Sequence, residues 1–302
     1  MSKNRSILFG IVIVFLGSIT IYFLYNIIVV PSKQASFTGL DKFGIKEIYP
    51  TVPGGREWFV NMDGPKTDPL FLITGDIPIK KNNLDNSWSI NDSMIRMNVI
   101  TPKGYKQWKN VEMTGYIKAI TLYKLTTSLN KNSNDNGNNE EESGNIMDVD
   151  WHARGGEHNS KEPCKGTALN GGINIDGTVA WKKEVWHTGG YTDARGVDKV
   201  TSSITDRWIG WKIVMYNIEK NKAVKMESYI DEKNNNDWKK VDDLIDDGGW
   251  YAKSNDSVFY SAGCDKPKDY VITNAGPIAT FRADNIALNF KDLSIREIQP
   301  RH

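Results

Sequence analysis

A run of uncharged residues near the amino terminus constrains this chain more than any other feature. It extends from Ile7 to Val30, and its 24 residues are more than the roughly 20 that a helix needs to cross a hydrocarbon core of about 30 Å. A segment in lipid must satisfy its backbone hydrogen bonds internally, so we expect a helix. Lys3 and Arg5 precede the run, and positive charge stays on the cytoplasmic side. We therefore expect a single-pass cell-membrane anchor with a cytoplasmic amino terminus and an extracytoplasmic carboxy-terminal domain.

The competing interpretation of this run is a cleaved signal peptide. Signal peptides have a shorter apolar region that ends at a small-residue cleavage site, and the residues from Tyr25 to Pro31 offer none. No cysteine follows the run in a lipoprotein position. We assign residues 1–6 to a cytoplasmic tail, 7–30 to the transmembrane signal-anchor, 31–44 to a stalk and 45–302 to one domain.

The part of the chain after the anchor is close to electrically neutral. Without Lys3 and Arg5, 36 basic and 37 acidic residues remain. This balance argues against nucleic acid as a partner, because nucleic-acid-binding surfaces are strongly basic. The only cysteines are Cys164 and Cys264, and disulfides persist outside the cytoplasm. We expect a bridge between them, with two unpaired thiols as the alternative.

Most of the chain after the anchor alternates apolar and polar residues with a period of two, which is typical of β-strands. In 111–119 the odd-numbered residues form the apolar face, and in 286–298 the phase slips near Lys291 and Asp292, which indicates a bulge. Residues 130–144 are too polar to pack, so we expect a flexible loop inside the domain. The pattern predicts an all-β fold, an antiparallel β-sandwich of the jelly-roll type, preceded by one transmembrane helix.

The carboxy-terminal strands carry a family resemblance. The stretch from Thr280 to Ile298, with its Asn-Phe-Lys-Asp-Leu-Ser-Ile-Arg-Glu-Ile ending, resembles the closing strands of the concanavalin A-like lectin/glucanase superfamily. The segment from Trp208 to Trp250 is similar to members of that superfamily in its strand, short turn and strand. The resemblance implies a jelly roll and a carbohydrate ligand. It does not decide the activity, because the members include lectins, glycoside hydrolases and polysaccharide lyases.

The members that cleave uronic-acid chains imply a set of catalytic roles. A cation neutralises the sugar carboxylate, a base removes the neighbouring proton, and an acid protonates the leaving oxygen. Suitable residue types occur in two segments, 150–158 and 181–191, so we predict a catalytic set of His152, Arg154, His187 and Tyr191. Even spacing would place His152, Arg154 and His158 on one strand face if the pair Gly155-Gly156 does not break the strand. The usual alginate-lyase strings are absent as such.

Further residues complete the predicted ligand site. Trp208 and Tyr216 fall on the polar faces of their strands, where flat rings can stack on sugars. Lys183 would share a face with His187 and leave Glu184 on the other face. Glu112 and Tyr116 belong to a string, Glu-Met-Thr-Gly-Tyr, that is a distant echo of an alginate-lyase strand. We therefore predict ligand contacts by Trp208, Tyr216, Lys183, Glu112 and Tyr116.

Hydrolysis and metal binding have weaker support. Glycoside hydrolysis needs two carboxyl groups about 5–10 Å apart, and Glu112, Glu184 and Glu227 lie on different predicted strands. If the protein is an enzyme, we therefore favour a lyase. A transition metal could bind His152, His158 and Glu157, and calcium could bind at Asp176 or Asp193, but no tight ligand spacing occurs. We predict no metal and no cofactor, with calcium left open.

Two hypotheses from different classes follow. In the first, the protein is a membrane-anchored extracytoplasmic carbohydrate-active jelly roll that binds a polysaccharide or glycan, with cleavage by β-elimination left open. In the second, it is a non-catalytic structural or adhesive cell-envelope protein. Convergence of the predicted catalytic residues in one cleft would favour the first hypothesis, and their dispersal would favour the second.

Overall fold

A computed structural model of the chain describes residues 39–122, 149–187 and 189–300. The expected tail and anchor (1–30), the first part of the stalk (31–38) and the expected flexible loop (130–144) lie outside the described residues. Within the described ranges the only α-helix is α1 (Asp256–Ser261). No helix there has the length and apolar character needed to cross a membrane.

In the described residues, fifteen strands make up almost all of the regular secondary structure. Three single turns of 3-10 helix occur at Pro65–Thr67, Thr74–Asp76 and Pro163–Lys165. The strands are β1 (Glu57–Phe59), β2 (Phe71–Ile73), β3 (Ile79–Asn82), β4 (Ser87–Asn91), β5 (Met94–Ile100), β6 (Val111–Leu122), β7 (Val149–Gly155), β8 (Ala168–Ile173), β9 (Thr178–Glu184), β10 (Arg195–Lys199), β11 (Ile209–Ile218), β12 (Ala223–Asp231), β13 (Lys239–Asp246), β14 (Ile278–Asp284) and β15 (Ile286–Glu297).

The strands form two antiparallel sheets. The eight-stranded sheet has the order β13-β12-β11-β6-β15-β4-β3, with β1 paired to β15, and the seven-stranded sheet has the order β10-β9-β8-β7-β14-β5-β2. Their inner faces share one hydrophobic core, in which Trp151 and Trp181 of the seven-stranded sheet pack with Trp211 and Ile213 of the other. A Cβ on Gly115 would lie 2.4 Å from Leu293 and 3.3 Å from Trp151, so the sheets approach closely there. The all-β sandwich expected from the alternation is confirmed.

The predicted strand phases also hold in detail. The apolar face expected for 111–119 is the inner face of β6, where Val111, Met113 and Ile117 are buried. The expected slip in 286–298 is a register shift in β15 between Lys291 and Ser294, where Asp292 has a φ of 55°. A single residue in the left-handed region adds a bulge and restores the inward direction of the following apolar residues.

The outer face of the eight-stranded sheet is closed by residues 39–52, which we call the N-terminal cover. Beneath it, the Glu112 carboxylate accepts hydrogen bonds from Lys212 Nζ at 2.8 Å and forms an ion pair with Arg296 Nη2 at 2.9 Å. The backbone N–H groups of Ile48 and Tyr49 donate to the same carboxylate at 3.0 and 3.4 Å. The cover therefore satisfies charges that would otherwise lie unpaired on this face.

The last residues of the expected stalk belong to this cover. Asp41 accepts backbone hydrogen bonds from Phe43 and Ile45 and so forms a tight turn. The Phe43 ring packs edge-on against Phe59 at 5.4 Å, and Ile45 is buried. Residues 39–44 thus contact the domain that we expected to begin at residue 45.

Cys164 and Cys264 form the expected disulfide, with their Cα atoms 5.1 Å apart. The bridge ties the loop between β7 and β8 to the segment after α1. It closes a loop of 100 residues, for which the chain-entropy treatment gives a stabilisation of about 4–5 kcal/mol.

Substitution of Glu112 tests the buried charge cluster. The change Glu112→Gln leaves Lys212 and Arg296 buried with one compensating charge fewer, so we expect the free energy of unfolding at pH 7 to fall by about 3–5 kcal/mol. Denaturant unfolding followed by tryptophan fluorescence measures this loss. The matched control Glu219→Gln, in the exposed turn after β11, should change it by less than about 0.5 kcal/mol.

The same variant tests the pH dependence. Burial acts to raise the pKa of Glu112, but the charges of Lys212 and Arg296 outweigh it and lower that pKa below its usual value. Its contribution to stability is therefore present above the unfolded-state pKa and is lost as the pH falls through the folded-state pKa. Glu112→Gln should lose less stability on acidification than the natural chain. Identical acid-side slopes for the two proteins would contradict this assignment.

Candidate functional site

The outer face of the seven-stranded sheet is polar and continuous, and we call its outward side chains on β5, β14, β7, β8 and β9 the polar face. Strand register places one row of residues directly opposite each other across all five strands. At a strand spacing of about 4.8 Å, such a row is about 19 Å long. In order across the sheet it consists of Lys182, Asn170, His152, Thr280 and Asn98.

A second row on the same face, two residues along the strands from the first, contains two arginines. Arg282 faces Asp150 on one side and Arg96 on the other, and it pairs with Asp284 at 2.7 Å. Burial, and then the neighbouring Arg282 charge, lower the pKa of Arg96. Arg96 also interacts electrostatically with Glu184, although three strands separate β5 from β9. The charged side chains of this face therefore influence one another across several strands.

The polar face contains buried polar atoms that lack hydrogen-bond partners among the described residues. They include Arg96 Nε, Asp150 Oδ1, Asn170 Oδ1 and Glu184 Oε2. Most buried polar atoms in proteins are hydrogen-bonded, so each such atom requires an explanation. Their concentration on one face is typical of a surface that receives water or a ligand.

His152 is held by its neighbour on the same strand face. Its Nε2 lies 2.9 Å from Asp150 Oδ2, and both side chains are almost fully buried. Because an ionised carboxylate only accepts hydrogen bonds, Nε2 carries the proton, and Nδ1 is the basic nitrogen of the neutral ring. The pair therefore has the geometry of a general base with an orienting carboxylate.

Glu184, at the end of β9, is the centre of a second cluster. Its Oε2 lies 3.2 Å from His158 Nδ1, its Oε1 lies 3.1 Å from His187 Nδ1, and the Tyr191 hydroxyl hydrogen-bonds to it. Burial acts to raise the pKa of Glu184, but the contacts with His158, His187 and Tyr191 outweigh it and lower that pKa to about 2. One donor atom from each of His158, Glu184 and His187 lies within 4.8 Å of the others, so this group could hold a metal ion.

Local backbone constraints fix the loops that carry the two histidines. His187 donates its backbone N–H to the Pro163 carbonyl at 2.9 Å, and a Cβ on Gly166 would lie 2.4 Å from the His187 Cβ. A Cβ on Gly156 would lie 1.7 Å from the Lys165 carbonyl oxygen, so only glycine fits there. The Cys164–Cys264 disulfide closes the same loop.

Three of the four predicted catalytic residues lie in one region, and the fourth does not. His152, His187 and Tyr191 lie in this connected region, in which the rings of His152 and His158 are 6.3 Å apart and those of His158 and His187 are 5.3 Å apart. Arg154 does not join them, so the expected shared face with His152 is wrong. Arg154 has a φ of 58° at a bulge in β7, which turns its side chain away.

Arg154 instead binds backbone carbonyl groups in the protein interior. It is fully buried, and its guanidinium donates to the carbonyls of Lys109 at 2.8 Å and Ile272 at 2.6 Å. Burial lowers the pKa of Arg154 to about 9. Its side chain thus holds the ends of two segments together and does not reach the polar face.

In 181–191, Lys183 and Glu184 lie on opposite faces as expected, but the expected shared face of Lys183 and His187 is wrong. Lys183 is fully buried on the opposite side of β9 from Glu184, where it pairs with Asp246 at 2.9 Å and donates to the Tyr270 carbonyl. His187 lies with Glu184 because β9 ends there and the chain turns, which breaks the alternation.

The remaining predicted ligand contacts lie on the other sheet. Glu112, Tyr116 and Tyr216 are buried on the outer side of the eight-stranded sheet; Tyr116 donates to Asp231 at 3.3 Å, and Tyr216 packs on Tyr49 of the cover. Trp208 donates to Asp85 at 3.1 Å. These four residues cannot line one groove with His152, because the sandwich core lies between them.

Several residues of the polar face are not among the predicted site residues. Arg96, Lys182 and Arg282 alternate in phase with other polar residues of their strands, and this signal could have identified them. The expected metal partner Glu157 is exposed and lies 4.0 Å from Lys165, whereas Glu184 occupies the position beside His158. The two calcium candidates have protein partners: Asp176 accepts from Thr178, and Asp193 pairs with Lys253.

A cleft of about 510 Å³ begins where β7 ends. Its lining includes Gly155, Lys165, Lys266 and Tyr270. Lys266 donates to the Cys164 carbonyl at 3.1 Å, and burial lowers its pKa. The cleft adjoins the loop that carries His158, but it does not contain the row of aligned polar side chains.

Comparison with known proteins gives similarity of fold. No family model matches the chain, and no curated protein matches it. A Bacillus subtilis protein of unknown function with a galectin-like fold has 9% identity and a TM-score of 0.42, over 84% of this chain and all of that one. Peanut lectin has 8% identity and a TM-score of 0.34, over 82% and 99%. An endo-β-1,4-glucuronan lyase from the fungus Trichoderma reesei has 8% identity and a TM-score of 0.34, over 86% and 94%.

All three TM-scores are below 0.5, so these similarities do not assign the chain to a superfamily. They carry nothing further about what this chain binds or does.

The structural role of Arg154 leads to a stability prediction. Arg154→Met leaves two buried carbonyl groups with fewer hydrogen bonds, so we expect the free energy of unfolding to fall by about 3 kcal/mol. Denaturant unfolding measures it, with Lys199→Met on exposed β10 as the control, which should change it by less than about 0.5 kcal/mol. A variant with unchanged stability would show that Arg154 is not a structural residue.

Proposed function

We propose that this protein binds a polysaccharide that bears carboxylate groups, along the polar face of the seven-stranded sheet. The observation that carries the proposal is the pair of partly buried cations Arg96 and Lys182. Neither has an ion-pair partner within 4 Å among the described residues, and the Nε of Arg96 lacks any hydrogen-bond partner there. A half-buried cation without a counter-charge is costly, and a bound carboxylate would remove that cost.

The strand register strengthens this argument. Arg96 and Arg282 lie directly opposite each other on neighbouring strands, and like charges in that position repel. Asp284 compensates one of the two arginines. An anion between the guanidinium groups would relieve the repulsion, and the planar fork of arginine suits a carboxylate.

The neutral members of the row suit sugar hydroxyls. Asn170, Thr280 and Asn98 offer amide and hydroxyl groups in line with Lys182 and His152. A hydroxyl group both donates and accepts hydrogen bonds, and so do these side chains. The length of about 19 Å across five strands exceeds a single sugar ring and fits a chain of linked rings.

We further propose that the protein cleaves this polysaccharide by β-elimination. His152, oriented by Asp150, would remove the proton from the carbon next to the sugar carboxylate, and Arg96 and Arg282 would stabilise the charge that develops on that carboxylate. The bond between the next carbon and the glycosidic oxygen would then break, and Tyr191 would give its proton to the leaving oxygen. A carbon–carbon double bond remains at the new end.

The cellular position is part of the proposal as well. The uncharged run Ile7–Val30 with Lys3 and Arg5 before it supports a domain tethered on the outer side of the cell membrane. There it would meet polysaccharide of the cell's own surface or of its surroundings.

Binding is tested with the full chain and a panel of acidic and neutral polysaccharides of matched length. We expect saturable binding of uronate chains and at least tenfold weaker binding of neutral ones. Arg96→Gln and Lys182→Met should each weaken uronate binding about tenfold or more, because a charge-assisted hydrogen bond contributes about 1.5–3 kcal/mol. Lys199→Met, on the exposed edge strand of the same sheet, should leave binding unchanged. Equal binding of neutral chains, or unaffected variants, would contradict the proposal.

Cleavage is tested separately by the ultraviolet absorbance of the new unsaturated ends. The chain should release them from a uronate polymer, and His152→Ala should abolish the release while retaining uronate binding. Binding without any release would leave a lectin-like function and remove the elimination step. The absence of both binding and release would favour the structural or adhesive envelope protein.

A further inference from the structure

The cluster around Glu184 has a geometry that the proposed glycan site does not use. His158 Nδ1 and His187 Nδ1 lie 3.2 and 3.1 Å from the two oxygens of the Glu184 carboxylate. Ligand bonds of 2.0–2.1 Å to a tetrahedral zinc ion would separate neighbouring ligand atoms by about 3.3 Å. Each contact is close to this length, although the two histidines approach different oxygens of the carboxylate. One donor atom from each of the three residues lies within 4.8 Å of the others.

The arrangement of His158 and His187 around Glu184 also indicates a bound cation. His158 Nδ1 and Glu184 Oε2 are buried and lie 3.2 Å apart, but their alignment does not meet the geometry of a regular hydrogen bond. A ring nitrogen and a carboxylate oxygen at this separation attract each other when a proton or a cation lies between them. The His158 and His187 rings meet at 73°, so they approach the carboxylate from different directions.

The charge around Glu184 also lacks compensation by the usual side chains. Its carboxylate has a side-chain exposure of 1%. Its ion-pair partners among the described residues are the two histidines, and no lysine or arginine there lies within 4 Å. A buried carboxylate needs a positive partner, and a divalent ion held by neutral imidazoles supplies one.

We propose that His158, Glu184 and His187 form a binding site for a divalent transition-metal ion of the zinc type. Two imidazole nitrogens and a carboxylate are ligands that zinc takes in proteins. Calcium and magnesium are excluded as the favoured ion because they prefer oxygen ligands throughout.

The surroundings are suited to hold such a site in place. The disulfide and the close contacts at Gly156 and Gly166 fix the loops that carry both histidines. Tyr191 hydrogen-bonds to Glu184 and orients the carboxylate, as outer partners of metal ligands do. Three protein ligands leave a fourth position for water or another ligand. The inference goes beyond glycan binding and does not depend on it.

The test is a metal titration of the full chain after treatment with a chelator and its removal. We expect one equivalent of Zn²⁺ to bind by calorimetry, and Co²⁺ to give the visible absorption of a tetrahedral site that Zn²⁺ then abolishes. His158→Gln and His187→Gln should each weaken Zn²⁺ binding at least a hundredfold. Both residues are on loops with partly exposed side chains, at 15% and 20%, so we expect the variants to fold.

The matched control is His152→Gln, which changes a histidine whose ring lies 6.3 Å from that of His158. It should retain the stoichiometry and affinity for Zn²⁺. Tryptophan fluorescence and circular dichroism establish that each variant is folded. Absence of saturable Zn²⁺ binding, or Zn²⁺ binding that survives in both His158→Gln and His187→Gln, would overturn the proposal. Neither readout uses a polysaccharide, so a failed glycan experiment and a failed metal experiment are distinguishable.

Discussion

Burial of apolar side chains between the two sheets is the constraint on which the rest of this structure depends. It commits one face of most strands to the core, which contains Trp151, Trp181 and Trp211. Because side chains alternate along a strand, the residues between these apolar positions must point outward on one of two opposite surfaces. The chemistry of the domain is therefore divided between two outer faces that cannot cooperate in one site.

The two outer faces differ in whether their buried charged groups have partners within the chain. On the eight-stranded sheet, Glu112, Lys212 and Arg296 neutralise one another, and the N-terminal cover supplies the remaining hydrogen bonds. On the seven-stranded sheet, Arg96 and Lys182 remain without ion-pair partners among the described residues. In the first arrangement the buried charges have partners of opposite sign within the chain. In the second arrangement, two cations have no counter-charge from the described residues. We therefore assign the ligand to the face of the seven-stranded sheet.

The sequence predicted the strands, their inner faces, the slip in β15 and the disulfide, because each depends on local alternation or on a single pair of residues. It could not predict which sheet a strand joins, since β6 pairs with β11 and β15, which lie far along the chain. Glu112, Tyr116 and Tyr216 were therefore combined with His152 across the core. Arg154 was misplaced because a positive φ reversed its direction. The contact of Glu184 with His187 arises where β9 ends and alternation no longer applies.

We place the ligand on the polar face of the seven-stranded sheet. A crystal structure of the chain with a uronate oligosaccharide tests it most directly. We expect sugar density across β9, β8, β7, β14 and β5, with a carboxylate group within hydrogen-bond distance of Arg96 or Lys182. Density on the N-terminal cover, or only in the cleft beside Lys266, with the polar face empty, would contradict it.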